Sequence, residues 1–130
     1  MPAEMHVELV SPDRKVWTGT AEMVIAKTGE GDIGILAGHQ PLLGTLVESP
    51  VTIKRGDEPD LVAAVHGGFI SVSNRGVSIL AELVELSSDV DVARARVAYD
   101  RTEGAVDDDE EERAAHRRAA ARLRAAGEQI

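Results

Sequence analysis

The hydrophobic period of this chain changes once, at Ser87-Ser88, and that change limits the fold more than any other feature. From Met5 to about Leu86 apolar residues recur at alternate positions. Met5, Val7 and Leu9 alternate with His6 and Glu8, Val51 and Ile53 with Thr52 and Lys54, and Ile70 and Val72 with Ser71 and Ser73, while Val77 and Ile79 flank Ser78. A strand points successive side chains to opposite faces, so the alternation predicts strands with one buried face. Turn-forming clusters separate the runs: Ser11-Pro12-Asp13, Arg55-Gly56-Asp57-Glu58-Pro59-Asp60 and Ser73-Asn74-Arg75-Gly76. Short strands at this spacing predict an N-terminal β-sandwich, or flattened barrel, over 1–86.

Beyond the change the chain is helical in character. From Ser88 to Ile130, 11 of 43 residues are alanine and two are glycine. This predicts a C-terminal antiparallel α-helical hairpin over 87–130. Ser88 with Asp91 three residues on reads as a capping box with Asp in place of Glu, so a first helix is expected from about Asp89 to Glu103, stopping at Gly104. A second is expected from near Asp107 to just before Gly127, a left-handed position after the last turn. Asp107, Asp108, Asp109, Glu110, Glu111 and Glu112 crowd its start, and Arg117, Arg118, Arg122 and Arg124 its later turns. Both halves suit the helix macrodipole, at roughly 0.3–1 kcal/mol per well-placed charge, and Asp109 with Arg113 is an i,i+4 pair. The acidic run also reads as a disordered tail, but the Ala/Arg/Leu segment that follows it favours helix. The expected seam is Ala115, Ala119, Leu123 and Ala126, with Ala114 and Ala121 beside it. Alanine permits close approach but buries little area, at ~25 cal/mol per Å², so docking should be weak. A simple accessory hairpin and one that leaves its docked position both fit.

Composition removes several classes of function. The chain has no cysteine, which excludes disulfides, thiolate zinc sites and cysteine nucleophiles. A net charge of −9 in 130 residues argues against a nucleic-acid partner, since phosphate contacts need a basic patch. Met-Pro-Ala-Glu-Met-His-Val-Glu at the start lacks the basic and apolar regions of a signal peptide, and no run reaches the ~18 apolar residues of a membrane span. A soluble intracellular protein without direct membrane insertion is therefore expected. Arg55-Gly56-Asp57 spells the integrin tripeptide but reads as a hairpin tip.

Chemistry-bearing residues concentrate between Lys27 and Leu43, where Gly29, Gly31, Gly34 and Gly38 surround Glu30, Asp32 and His39. Gly29-Glu30-Gly31-Asp32-Ile33-Gly34 matches the dinucleotide fingerprint G-x-G-x-x-G. That motif works only where it opens a helix whose N–H groups hold the pyrophosphate. Gly38 and Pro41 prevent a helix here, and two carboxylates would lie where phosphates must. Glu30 and Asp32 as an acid–base pair have no nucleophile, metal or cofactor signal beside them, so a contact surface is the better reading. His6 and His66 fall in strands, His116 on a solvated helix face, and no histidine spacing suggests a metal site. His39 stands apart, in a stretch that otherwise reads as turn chemistry; a purely structural role would tie it to backbone carbonyls.

The stretch Glu30-Gly31-Asp32-Ile33-Gly34-Ile35-Leu36-Ala37-Gly38-His39-Gln40-Pro41-Leu42-Leu43 resembles the signature of the epsilon subunits of F-type ATP synthases. That family carries Gly-acidic-Gly-acidic-aliphatic-Gly-aliphatic followed by Pro-Gly-His-x-Pro-Leu. Two further family motifs follow in order: Gly67-Gly68-Phe69-Ile70-Ser71-Val72, and aliphatic-Asp-x-x-Arg-Ala at Val90-Asp91-Val92-Ala93-Arg94-Ala95. The departures are Ala37, where proline is usual, and Glu48-Ser49-Pro50, where the family tends to Pro-Gly. The resemblance implies a non-catalytic central-stalk subunit at the cytoplasmic face of a bacterial membrane. It implies that Glu30 and Asp32 face the c-ring, that His39 lies near the gamma subunit, and that the hairpin extends to the catalytic alpha and beta subunits to inhibit ATP hydrolysis. A small β-fold enzyme and a free-standing acidic adaptor are the rival classes.

The resemblance carries one further implication. No cofactor is required, but some family members hold a regulatory ATP on the docked hairpin. Matching their motif places Val90, Asp91, Arg94 and Ala95 at the site, with Glu85 before them, Arg101 two turns beyond Arg94, and Arg118 and Arg122 on the facing helix. Arginines are good phosphate donors, and Asp91 is placed to accept from an adenine amino group. A further family arginine would fall at about Glu111, inside the acidic run. Ion pairs within the hairpin are the competing use of the same side chains.

Overall fold

The computed structural model describes residues 3–104 and 109–130. Ten strands form first: β1 (Met5–Ser11), β2 (Arg14–Ala21), β3 (Met23–Thr28), β4 (Gly31–Leu36), β5 (Leu42–Thr45), β6 (Ser49–Arg55), β7 (Glu58–His66), β8 (Phe69–Ser73), β9 (Gly76–Leu80) and β10 (Leu83–Leu86). They make two five-stranded sheets, in the orders β2-β1-β9-β8-β5 and β10-β7-β6-β3-β4. Pairing is antiparallel except between β1 and β9, which run parallel from His6 opposite Gly76 to Val10 opposite Leu80. The result is an open sandwich.

The period-two residues meet between the sheets. Val7, Leu9, Ile70, Val72, Val77 and Ile79 of the first sheet and Val24, Val51, Ile53, Ala63 and Val65 of the second are nearly or wholly buried in one cluster. Branched aliphatic side chains suit this layer because they fill a pleated surface with few rotamers to lose. Two glycines let strands approach closely. A Cβ on Gly68 (φ +117°) would stand 2.1 Å from the Leu80 carbonyl oxygen, and one on Gly76 (φ +133°) 2.0 Å from that of His6.

A single 3₁₀ turn over Ser87–Asp89 leads into the hairpin, formed by α1 (Val92–Thr102) and α2 (Glu110–Ala125). The first helix begins three residues later than the sequence suggested. Asp91 itself is the cap, its backbone extended and its carboxylate accepting from the Arg94 N–H at 3.0 Å, because the residues before it are spent on the 3₁₀ turn. The helix stops before Gly104, which takes φ +80°. The expected start of the second helix near Asp107 lies outside the described residues. Asp109 caps α2 by accepting from the Glu112 N–H at 3.1 Å, so Arg113 pairs with Glu110 at 2.7 Å and not with Asp109. The end of α2 closes as a Schellman motif on Gly127 (φ +82°): the Glu128 N–H donates to the Leu123 carbonyl and the Gly127 N–H to that of Arg124.

Helix α2 lies between α1 and the outer face of β6 and β7. It therefore needs a wider apolar face than a two-helix seam. Ala119, Ala120, Ala121, Leu123 and Ala125 are buried, whereas Ala115 and Ala126 are only partly covered. Ala63, Ala64, Val65 and His66 at the end of β7 are consecutively buried, which in a strand means that both faces are covered. His116 is also drawn in, contrary to its expected place on a solvated face. Its ring stacks on Tyr99 with centroids 4.4 Å apart, and its Nδ1 lies 2.9 Å from the Thr102 hydroxyl.

Candidate functional site

The glycine-rich stretch folds as a β-hairpin, β3-turn-β4, followed by a tight turn into β5; no helix follows Gly34, so the dinucleotide reading fails on geometry. Glu30 is exposed at the tip, its N–H held by the Thr28 hydroxyl at 3.2 Å. Asp32, opposite Lys27 on the edge strand, is exposed but lines a groove shared with Tyr99, His116 and Arg117 of the helical hairpin. The two carboxylates thus sit at one end of the sandwich without sharing a groove. The turn at Leu36-Ala37-Gly38-His39 is closed by the His39 N–H donating to the Leu36 carbonyl at 3.0 Å, with Gly38 at φ +85° as a type II turn requires. Ala37 occupies the position where proline would pre-set φ. The exposed His39 ring places Nδ1 2.7 Å from the Gln40 carbonyl oxygen, and its edge borders a cleft with Pro41, Asn74 and Arg75.

Beyond Pro41, β5 and its neighbours carry an apolar surface. Leu43 (73% exposed), Phe69 (51%) and Leu80 (44%) lie on strands whose alternate residues, Ile70 and Ile79, point into the core. The chain's one phenylalanine is thus spent on the surface.

The helical hairpin and the end of β10 border a half-open cavity of about 380 Å³ lined by Glu85, Asp89, Asp91, Arg94, Ala95, Ala98, Ala115, Arg118 and Arg122. Of the eight residues the sequence suggested for a nucleotide, six are together here. Val90 lies outside the lining, and Arg101 points elsewhere, to Glu112 at 2.8 Å. Sequence reasoning missed Asp89, which the 3₁₀ turn delivers, and Ala98 and Ala115 in the lining. Three guanidinium groups face three carboxylates. Arg122 Nε donates to Glu85 at 2.6 Å, and Arg118 pairs with the exposed Glu111 at 3.5 Å.

Two ion pairs fasten the hairpin to the sandwich. Arg117 Nε donates to Glu48 at 3.2 Å, and the Glu85 oxygen that accepts from Arg122 also lies 2.9 Å from His66 Nε2. His66 is 5% exposed, and among the described residues its Nδ1 finds no hydrogen-bond partner. Burial pushes His66 below the ordinary histidine range, against the upward pull of its bond to Glu85. The run Leu61-Val62-Ala63-Ala64-Val65 was the available signal, since an unbroken apolar strand is covered on both sides.

The described residues hold no group of three His, Asp or Glu side chains able to bind a metal, and no helix among them is long and apolar enough to cross a membrane. Residues 4–87 match the family model described as "ATP synthase, Delta/Epsilon chain, beta-sandwich domain". The ATP synthase epsilon chain of Streptomyces avermitilis is 51% identical over 107 residues, 82% of this chain and 86% of that one. That of Thermobifida fusca is 48% identical over 126 residues, 95% of this chain and 92% of its own. Among solved structures, a chain of the Euglena gracilis mitochondrial ATP synthase (OSCP/F1/c-ring, rotational state 1) superposes with TM-score 0.81 at 20% identity, covering 97% of this chain and 82% of that chain, which supports the fold. The order of motifs, the sandwich with its appended hairpin and the identity to curated relatives agree: the chain belongs to the epsilon chains of ATP synthase, as a non-catalytic subunit and neither a β-fold enzyme nor a free-standing adaptor.

Proposed function

We propose that the chain is a central-stalk rotor subunit of a proton-translocating ATP synthase at the cytoplasmic face of a bacterial membrane, joining gamma to the c-ring and restraining ATP hydrolysis through its hairpin. The observation that carries the regulatory half is how the hairpin is held. An alanine-lined helix face buries little area per residue, and the polar fastening consists of the half-exposed Arg117–Glu48 pair and the Arg122–Glu85 pair. Such a dock opens without unfolding the sandwich, whose core residues all come from the strands and the short segments joining them. Once free, α2 presents a basic C-terminal end, Arg122 and Arg124, beyond Arg113, Arg117 and Arg118 with their Glu110 and Glu111 partners, and this end is suited to acidic surfaces on the alpha and beta subunits.

The sandwich offers two contact surfaces. Leu43, Phe69 and Leu80 make an apolar face suited to gamma, with His39 on the turn that leads into β5. Glu30 at the β3–β4 tip, with Asp32 beside it, meets basic loops of the c-ring. The hairpin cavity fits ATP as a ligand that favours docking. Arg122 uses Nε for Glu85, leaving its Nη groups for phosphate, and Asp91 gives one oxygen to the Arg94 N–H, leaving the other for an adenine amino group. Bound nucleotide stabilises the docked state by mass action when its concentration exceeds the dissociation constant.

Two experiments test this. Truncation after Ser88 in the assembled enzyme should raise ATP hydrolysis; an unchanged rate removes the brake. Calorimetric titration of the isolated chain with millimolar ATP, beside an Arg94→Ala control, should give heat in the wild type alone. No heat, or equal heat in both, removes the nucleotide.

A further inference from the structure

We propose that His66 is a positioning residue that makes hairpin docking depend on protons: neutral, it holds Glu85 for Arg122, and protonated, it drives the hairpin off the sandwich. The inference rests on the hairpin being releasable, as proposed above, but not on the brake or on ATP.

The geometry places His66 at the end of β7, on the outer face of its sheet, since its neighbour Val65 points into the core. What lies over that face is α2. A single oxygen, Glu85 Oε1, accepts from Arg122 Nε at 2.6 Å and lies 2.9 Å from His66 Nε2. The neutral ring with its proton on Nε2 completes this arrangement: Nε2–H donates to the carboxylate and Nδ1 carries only a lone pair. Protonation puts a second N–H on Nδ1. That atom is fully buried and has no acceptor among the described residues, so the new donor is stranded with part of a charge.

The groups that face the ring balance rather than rescue that charge. From β10 comes Glu85, already committed to Arg122; from α2 come Arg122 and, across the cleft that His66 borders, Arg118; from the loops before β6 and β10 come Glu48 and Glu82 on that cleft. Glu48 is engaged by Arg117. Arg122 adds repulsion to the cost of burial, against the attraction of Glu85 and Glu48. When α2 lifts away, both ring nitrogens meet water and the ring returns to ordinary histidine behaviour.

The sign follows. The docked hairpin holds His66 with a lowered pKa, and the released hairpin does not, so the released state binds more protons at mildly acid pH. The docking contribution of neutral His66 is fully present above the ordinary histidine value of about 6.5 and is lost as pH falls below it. One proton taken up on release changes the docking equilibrium by at most about tenfold per pH unit.

The full chain, free of native cysteine, can be labelled at Asp57→Cys on the sandwich and Asp100→Cys on α1 with a fluorescent donor and acceptor. Between about pH 8 and about pH 5, spanning the histidine range, the separation should lengthen with a midpoint below the ordinary histidine value, and the His66 ring resonances should shift over the same interval. His66→Gln keeps a donor for Glu85 and cannot titrate; its separation should stay constant and short. A pH-independent distance in the wild type overturns the proposal. So does an unchanged pH response in His66→Gln, or a ring titration that the distance does not follow. The Ser88 truncation assay reads the brake separately: a distance that ignores pH together with raised hydrolysis on truncation sinks only the proton linkage, and the reverse sinks only the brake.

Discussion

Arg122 Nε and Glu85 Oε1 lie 2.6 Å apart across the join between hairpin and sandwich, and both side chains are about a quarter exposed. The Arg117–Glu48 pair across the same join is longer, 3.2 Å, with the arginine about half exposed. Partial burial strengthens a charge pair and raises the cost of leaving one member alone. Double-mutant cycles on hairpin docking should therefore give a coupling of roughly 0.2–1 kcal/mol for Arg117–Glu48 and a larger one for Arg122–Glu85. Equal couplings, read from the docked fraction of the labelled chain, would contradict this ranking.

Glu110 gives the hairpin an acid limit of its own. Hydrogen bonds from Arg117 and then Arg113 hold its carboxyl down to about 2. A carboxylate with a depressed pKa stabilises the folded state above its ordinary value and loses that contribution as pH falls. The start of α2 should therefore weaken as pH drops from about 4.5 toward about 2. Circular dichroism of wild type and Glu110→Gln should differ above this window and converge below it.

The carboxylates of the β3–β4 end should not be equivalent. Glu30 projects from the tip, whereas Asp32 borders a groove shared with the hairpin. Glu30→Ala should weaken coupling of proton flow to synthesis in reconstituted enzyme, and added salt should mimic it, because exposed charge pairs are screened. Asp32→Ala should have the smaller effect on coupling. If both variants couple as well as wild type, the c-ring contact lies elsewhere.

Gly68 marks where the sandwich tolerates least. A methyl group there would stand 2.1 Å from the Leu80 carbonyl oxygen at a φ of +117°, so backbone must move. Gly68→Ala should cost on the order of 3 kcal/mol or more. Gly29→Ala, in open space at ordinary φ, is the control and should change the melting temperature little.

The strands and both helices were legible because each follows a local rule. Alternation marks one-sided burial, and Gly104 and Gly127 stop helices where they fall. What was not legible came from contacts between distant parts. Asp91 competes with Ser88 for the cap, and only the 3₁₀ turn before it settles the contest. His116 looks solvated on a helical wheel until Tyr99 and Thr102 are folded against it. The six cavity residues carried a family pattern, but Arg101 followed its nearest carboxylate, Glu112, and left the set. The apolar run before His66 signalled that both faces of its strand are covered, but not that α2 is the cover.

The lone parallel pairing joins β1, the first strand made, to β9, with partners seventy residues apart such as Glu8 and Ser78. A ribosome releases β1 long before β9 exists, so the first sheet stays incomplete for most of translation. Closing so long a loop is slow and entropically costly. Until that moment β1 has only its β2 neighbour, and its other edge is open to foreign strands. The apolar face carrying Phe69 and Leu80 is assembled in the same late step. Recruitment into the enzyme would thereby be timed: the surface proposed to meet gamma comes into being only once β8 and β9 have joined the sheet.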